Sequence, residues 1–178
     1  GGVHKHCIED EMNGWFEIPD FLTKMIEMNW LGDKTGQGFY KKSKDSSGNR
    51  VIKQLNLTSF DYEPLIKPRY ESIGKAKKTE STAKSIRSLF DGDDKIANFF
   101  KEVITAVSAY SANRIPEIAD EIYQIDDALK AGFGWEAGPF ENWDILGFDT
   151  VLNAISVSNF QLPQWIEEFK NKGHNQFY

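Results

Sequence analysis

Several groups of residues carry side chains or backbone that could do chemistry. His4-Lys5-His6-Cys7, with Glu9, Asp10 and Glu11 behind it, combines imidazole, thiol and carboxylate, the donor types of a zinc site. It lacks a second Cys or His pair at ligand spacing, and the third histidine, His174, is remote, so a partly exposed helix is the simpler reading. Gly32-x-x-x-Gly36-x-Gly38 suggests a phosphate-cradling loop. It ends without the Gly-Lys-Ser/Thr of a P-loop and follows no strand as a dinucleotide fingerprint must, so it reads as a helix stop and a turn returning Phe39 and Tyr40 to the core. Ser108, Ser111 and His174 supply a hydroxyl and a base, but nothing sets the base beside a serine. Asp126-Asp127 could be an acid–base pair; in mid-helix a solvated or capping role fits better. The stretch from Gly132 to Gly147 interleaves glycines and Pro139 with aromatics. That makes a rigid corner, either a ligand wall or a packed turn, and its composition favours the packed turn.

These groups need elements to hold them. Ile18, Phe21, Leu22, Met25 and Ile26 stand at helical spacing, with Pro19 suited to a first turn and Asp20 favourable at a helix N-terminus. Periodicity returns at Ile96, Phe99, Phe100, Val103, Ile104 and Val107, behind an Asp91-Gly92-Asp93-Asp94 run in which an aspartate can cap. A further helix is predicted to open at Pro116, carry Ile118, Ile122, Ile125 and Leu129 on one face, and stop at Gly132. Shorter helices are expected over 150–155 and 163–170. Ser43 to Asn49 is turn-like, Pro64 and Pro68 break helix, and no alternation is long enough to suggest a sheet. The expected fold is all-α, with residues 46–85 a linker containing extended pieces.

Composition narrows the function. The 178 residues hold 21 Lys and Arg against 27 Asp and Glu, a formal net charge of −6, so no broad basic surface is available for nucleic acid. Hydrophobic residues at 40% suffice for a core. No apolar run approaches the ~20 residues of a membrane span, the first thirty residues lack a signal-peptide pattern, and one cysteine fits a reducing compartment. A cytoplasmic location is the expectation.

The chain also repeats itself. Phe16-Glu17-Ile18-Pro19-Asp20-Phe21-Leu22 recurs 144 positions on as Phe160-Gln161-Leu162-Pro163-Gln164-Trp165-Ile166. Met25 then matches Phe169, and Gly38-Phe39-Tyr40 matches Gln176-Phe177-Tyr178 at a spacing of 138, so the second copy is shorter across the glycine turn. The second unit has a long helical region before Pro163 while the first has little before Pro19, so the first is expected to be cut short and the chain to be a fragment.

Two segments resemble a known family. Trp30-Leu31-Gly32-Asp33-Lys34-Thr35-Gly36-Gln37-Gly38-Phe39-Tyr40-Lys41 is similar to the Leu-Gly-x-Lys-Thr-Gly-x-Gly-Phe-Tyr signature closing the C-terminal helical domain of 3-hydroxyacyl-CoA dehydrogenases. Ile125-Asp126 through Gly132-Phe133-Gly134, Gly138-Pro139-Phe140, Asp144 and Gly147 resembles the signature opening the same domain. The closing signature comes first, which implies the tail of one domain copy over residues 1–45 and a nearly whole second copy over 86–178.

The resemblance implies an NAD-dependent parent that oxidises L-3-hydroxyacyl-CoA to 3-ketoacyl-CoA in fatty-acid β-oxidation, with tandem helical domains and a possible fused enoyl-CoA hydratase domain. The family's cofactor fingerprint and catalytic His-Glu pair belong to a Rossmann domain outside these signatures, so no catalytic or NAD-binding residue carries over. Asn98 stands near the place of a family catalytic asparagine, but the following pattern departs by an apparent insertion at Ser111 to Ile115, which makes it a relic of the site. Gly138, Pro139, Phe140, Asp144 and Gly147, with Lys34, Gly36, Gly38, Phe39 and Tyr40, are the expected structural residues beside an acyl-CoA cleft. The expected partners are the Rossmann domain, the acyl-CoA substrate and further subunits of a homo-oligomer; alone, the chain should be inactive. The competing reading is a stand-alone helical interaction module without catalysis.

Overall fold

The computed structural model describes residues 2–178, and the chain divides into two compact units, Gly1–Pro68 and Arg69–Tyr178. The first opens with α1 (Gly2–His6), a 3-10 turn at Asn13–Phe16, and α2 (Asp20–Glu27), which starts directly after Pro19 and buries Met25. A second 3-10 turn (Asp33–Thr35) leads into an antiparallel meander of β1 (Tyr40–Lys44), β2 (Arg50–Leu55) and β3 (Tyr62–Pro64) in the order β1-β2-β3. Tyr40 pairs with Gln54, Lys44 with Arg50, and Lys53 with Pro64 at the edge, where a residue without an N–H is tolerated. Asp45 makes the hairpin by accepting the N–H groups of Ser47 and Asn49, each at 2.9 Å, with Gly48 at φ 82°. Trp30 packs on Tyr62 at 5.4 Å between ring centroids and on Phe60 at 6.2 Å.

This sheet is the departure from an all-helical expectation, although the molecule remains mostly helical. β1 reads Tyr-Lys-Lys-Ser-Lys and neither β1 nor β2 buries one full face, so the alternation that marks a strand is missing from the sequence.

The second unit is all helix: α3 (Glu71–Ala76), α4 (Thr82–Phe90), α5 (Lys95–Asn113), α6 (Ile122–Phe133), α7 (Pro139–Leu146), α8 (Phe148–Ser156) and α9 (Gln164–Asn171). The stretch 46–85 thus carries β2, β3, α3 and the start of α4. Asp94 caps α5 through the Ala97 N–H at 3.0 Å and also receives the backbone N–H and hydroxyl of Ser72, tying α3 to α5. α6 does not open at Pro116, which lies in a turn after a cis Ile115-Pro116 bond with Ile118 exposed. The helix starts six residues later, at Ile122, behind a capping box of Glu121 and Gln124. Nor does Gly132 stop it; Gly134, at φ 66°, takes the left-handed position that ends it. The core joins Ala109 and Ala112 of α5 to Phe140, Trp143, Phe148, Val151, Ile155 and Ile166, with Phe177 packed against them.

Candidate functional site

The opening signature folds into one corner. Gly138 stands before α7 and Pro139 takes its first turn, where a missing N–H does no harm. The N–H groups exposed there are answered from another helix: Asp126 of α6 accepts from Phe140 N at 2.9 Å and Glu141 N at 3.0 Å. Its carboxylate also receives the Tyr178 hydroxyl at 2.9 Å. Asp126 is 1% exposed, and burial pushes its pKa above the ordinary aspartate value despite the bonds from Phe140, Tyr178 and Glu141. Burial, followed by the bond to Asp126, pushes the Tyr178 phenol up as well. Gly138 has an unexceptional φ of −79°; glycine is needed because a Cβ would overlap the Asp126 carboxyl group and sit 2.5 Å from the Asp126 Cα. Glu141 closes the corner by accepting Gly138 N at 2.7 Å and pairing with Lys130 at 2.7 Å.

One turn further on, Asp144 binds the chain segment after α9, accepting Phe177 N at 2.8 Å and Tyr178 N at 2.9 Å. Phe177 thereby sits within 5.0 to 5.5 Å of Phe140, Trp143, Phe148 and Phe169. Gly147, at φ 97°, lets α7 turn sharply into α8. These contacts are structural: Asp126 and Asp144 spend their lone pairs on the protein's own donors, which fits a scaffold better than a general base. Asp127, the other half of the pair, faces solvent and bridges Lys130.

The closing signature is a self-contained loop. The Thr35 hydroxyl receives Leu31 N at 2.9 Å and lies within hydrogen-bond distance of the Gly32 and Gln37 carbonyls. Gly36, at φ 84°, takes a left-handed position, and a Cβ on Gly38 would come within 2.8 Å of the Gly32 backbone. Lys34 is exposed beside the Asp33–Lys42 ion pair at 3.0 Å. The N–H groups of Gly32, Thr35, Gly36 and Gly38 bond to Gln37, Gly32, Asp33 and Tyr40 carbonyls. They are spent, so the loop does not fit the pyrophosphate of NAD or any other phosphate. Phe39 and Tyr40 are 45% and 60% exposed, not returned to a core as the sequence suggests.

The remaining candidates do not assemble. His4 bonds to the Asn13 carbonyl, Cys7 is exposed, and among the described residues no group of three or more His, Cys, Asp or Glu is placed to hold a metal ion. Ser108 and Ser111 are buried in α5, while His174 lies on the Phe169 ring at 4.7 Å. Asn98 donates to the Asp93 carbonyl at the start of α5. The apparent insertion at 111–115 begins in the last turn of that helix. No described helix is long and apolar enough to cross a membrane. The sequence left Asp126 a solvated or a capping role; it is buried and bonds to the first N–H groups of α7, and the signal was an aspartate between Ile122 and Leu129 on the apolar stripe of α6.

Residues 100–176 match the family model for the 3-hydroxyacyl-CoA dehydrogenase C-terminal domain. A Bacillus subtilis (strain 168) protein bearing the name 3-hydroxyacyl-CoA dehydrogenase is 36% identical over 163 residues, spanning 92% of this chain and 20% of its own length. A Rickettsia prowazekii (strain Madrid E) protein named as a fatty acid oxidation complex trifunctional enzyme is 29% identical over 146 residues, 80% of this chain and 19% of its own. A counterpart of that name in Rickettsia felis is 30% identical over 148 residues, with coverage of 82% and 19%. The chain therefore spans about a fifth of the length of these curated relatives. No solved structure matches it.

Proposed function

We propose that this chain is the helical C-terminal portion of an NAD-dependent 3-hydroxyacyl-CoA dehydrogenase of fatty-acid β-oxidation, acting on L-3-hydroxyacyl-CoA. The observation that carries the reading is the Asp126–Gly138-Pro139-Phe140 corner, because Asp126, Gly138, Pro139, Phe140, Asp144 and Gly147 of the opening signature each have a physical task there, within the segment that matches the family. In this reading the corner stiffens α6 and α7 so that they wall the acyl-CoA cleft, pack against the Rossmann domain and bury contacts between subunits. Gly138, Pro139, Phe140, Asp144 and Gly147 are positioning residues; Lys34, Gly36, Gly38, Phe39 and Tyr40 close the tail of a preceding domain copy. NAD binding and the proton and hydride transfers belong to the rest of the parent polypeptide, and a fused enoyl-CoA hydratase domain is in keeping with the trifunctional name of the relatives. The test is NADH oxidation with acetoacetyl-CoA. The purified chain should not exceed a protein-free blank, while the whole polypeptide from the same gene should turn over. Turnover by the 178-residue chain alone would overturn the assignment.

A further inference from the structure

The internal repeat is exact enough in three dimensions to serve as a template. α2 and α9 are each eight residues long and each follows a proline in extended conformation, Pro19 or Pro163. Both end alike, with a left-handed residue two positions after the last helical one, Asn29 at φ 56° and Gly173 at φ 86°. The closing bonds correspond too: Trp30 N donates to Met25 O at 2.8 Å, and His174 N to Phe169 O at 3.3 Å. The chain then returns an aromatic over the helix in both copies. Phe39 meets Phe21 at 6.3 Å between ring centroids, and Phe177 meets Trp165 at 6.2 Å.

The copies differ in what covers the returned aromatic. Phe177 is enclosed by Phe140, Trp143 and Phe148 of α7 and α8, its N–H is held by Asp144, and the neighbouring Tyr178 hydroxyl by Asp126. Phe39 has Phe21 on one side and no ring in place of those three among the described residues. In the same unit Ile18, Ile26 and Leu31 are 43%, 57% and 62% exposed. Phe39 and Tyr40 also wall a groove of about 740 Å³ with Ile52, Leu65 and Ile66. Phe39, Tyr40, Ile52 and Ile66, 45% to 67% exposed along that groove, form the kind of apolar surface that marks an interaction site.

We propose that this face of the first unit, α2 with Phe39 and Tyr40, is the docking surface for a second helical corner of the α6–α7–α8 type. The occupant is a segment of the same dehydrogenase polypeptide. It sets aromatic side chains against Phe39 and a carboxylate against the Tyr40 hydroxyl, as α7, α8 and Asp126 do for Phe177 and Tyr178. The identity of the occupant follows from the interface already built in the second unit, which the first unit presents with one half in place. It rests on the reading of the chain as part of a longer dehydrogenase, whose relatives are about five times its length.

Hydrogen exchange read by mass spectrometry, on the 178-residue chain and on the whole polypeptide of the same gene, tests this. In the whole polypeptide the amides of 20–40 should slow by about ten-fold or more, approaching those of 164–178, while 164–178 stays the same in both proteins. Phe39→Ala in the whole polypeptide should restore fast exchange over 20–40 and also in the docked segment; Tyr40→Phe, which keeps the ring, should give a smaller change in the same peptides. Equal exchange over 20–40 in both proteins overturns the proposal. So does protection that grows with concentration of the isolated chain, since the occupant would then be a second copy. NADH oxidation by the same preparations separates the two readings: an active polypeptide with 20–40 unprotected sinks the docking surface alone, and an inactive one with 20–40 protected supports docking while sinking the assigned activity.

Discussion

Alanine at two glycines six residues apart should move stability in opposite directions. Gly132 lies in the last turn of α6 with nothing within 4 Å of a would-be Cβ, so Gly132→Ala relieves backbone entropy and should stabilise by ~0.5–1 kcal/mol. At Gly138 the added carbon falls 2.5 Å from the Asp126 Cα and overlaps its carboxyl group, so α6 and α7 must part by ~1 Å. Parting them breaks the bonds from Phe140 N and Glu141 N, now 2.9 and 3.0 Å long, and strands donors in a buried setting. Overpacking and the stranded donors together put Gly138→Ala at ~3–5 kcal/mol of destabilisation. For a unit of about 100 residues this is a fall in Tm of ~12–20 °C, against a rise of ~2–4 °C for Gly132→Ala. Urea and thermal unfolding of the full chain, followed by helical circular dichroism, reads both because the helix lies mostly in the second unit. A double variant with Asp126→Ala should be less damaged than the two singles added together, by ~1 kcal/mol or more, since part of the clash is removed. If Gly138→Ala matches wild type within ~0.5 kcal/mol, or Gly132→Ala does equal harm, Asp126 is not the reason for the glycine.

Other perturbations follow from the same contacts. Tyr178→Phe removes the hydroxyl bond to Asp126 and should lower stability by ~1 kcal/mol at neutral pH, read from the urea midpoint. The folded-state pKa of Tyr178 is raised, so its contribution is complete below the unfolded phenol value near 10 and is lost as pH rises through the folded value; Tyr178→Phe should flatten that alkaline loss. Asp94 behaves oppositely: Ser72 N–H, then Ala97 N–H, lower its pKa from 3.8, so its support is present above that value and disappears as pH falls through the folded one. Asp94→Asn should shrink the difference between urea midpoints at pH 5 and in stronger acid. Thr35→Val should raise hydrogen exchange across 31–38 and leave 122–146 unchanged, because the hydroxyl ties only the glycine loop.

The parts of the fold legible in the sequence were those that carry their own signal. α5 announces itself by apolar spacing and an aspartate cap, and α9 by Pro163 before an amphipathic turn, so both lie where the pattern puts them. α6 is misplaced at each end because Pro116 and Gly132 are stronger punctuation on paper than the Glu121 capping box and Gly134. α7 hides in a glycine- and aromatic-rich run, since its first N–H groups are satisfied from α6 and not by a neighbour in sequence. The sheet is invisible for another reason: Tyr40–Lys44 and Arg50–Leu55 gain order from a hairpin and from each other, not from a buried face. The bond from Phe177 N to Asp144 spans 33 positions and no local rule predicts it.

That long reach has a consequence for how the second unit is made. Phe177 and Tyr178 leave the ribosome after helices α6 to α9, yet Phe177 sits within the aromatic cluster and bonds to Asp144, 33 positions earlier, while the half-exposed Tyr178 reaches Asp126, 52 positions earlier. Helices α6 to α9 can form as they emerge, but Phe140, Trp143 and Phe148 lack the Phe177 ring until residues 177 and 178 arrive. During that interval the nascent protein displays a sticky aromatic surface, the kind that chaperones bind and that drives aggregation when synthesis stalls.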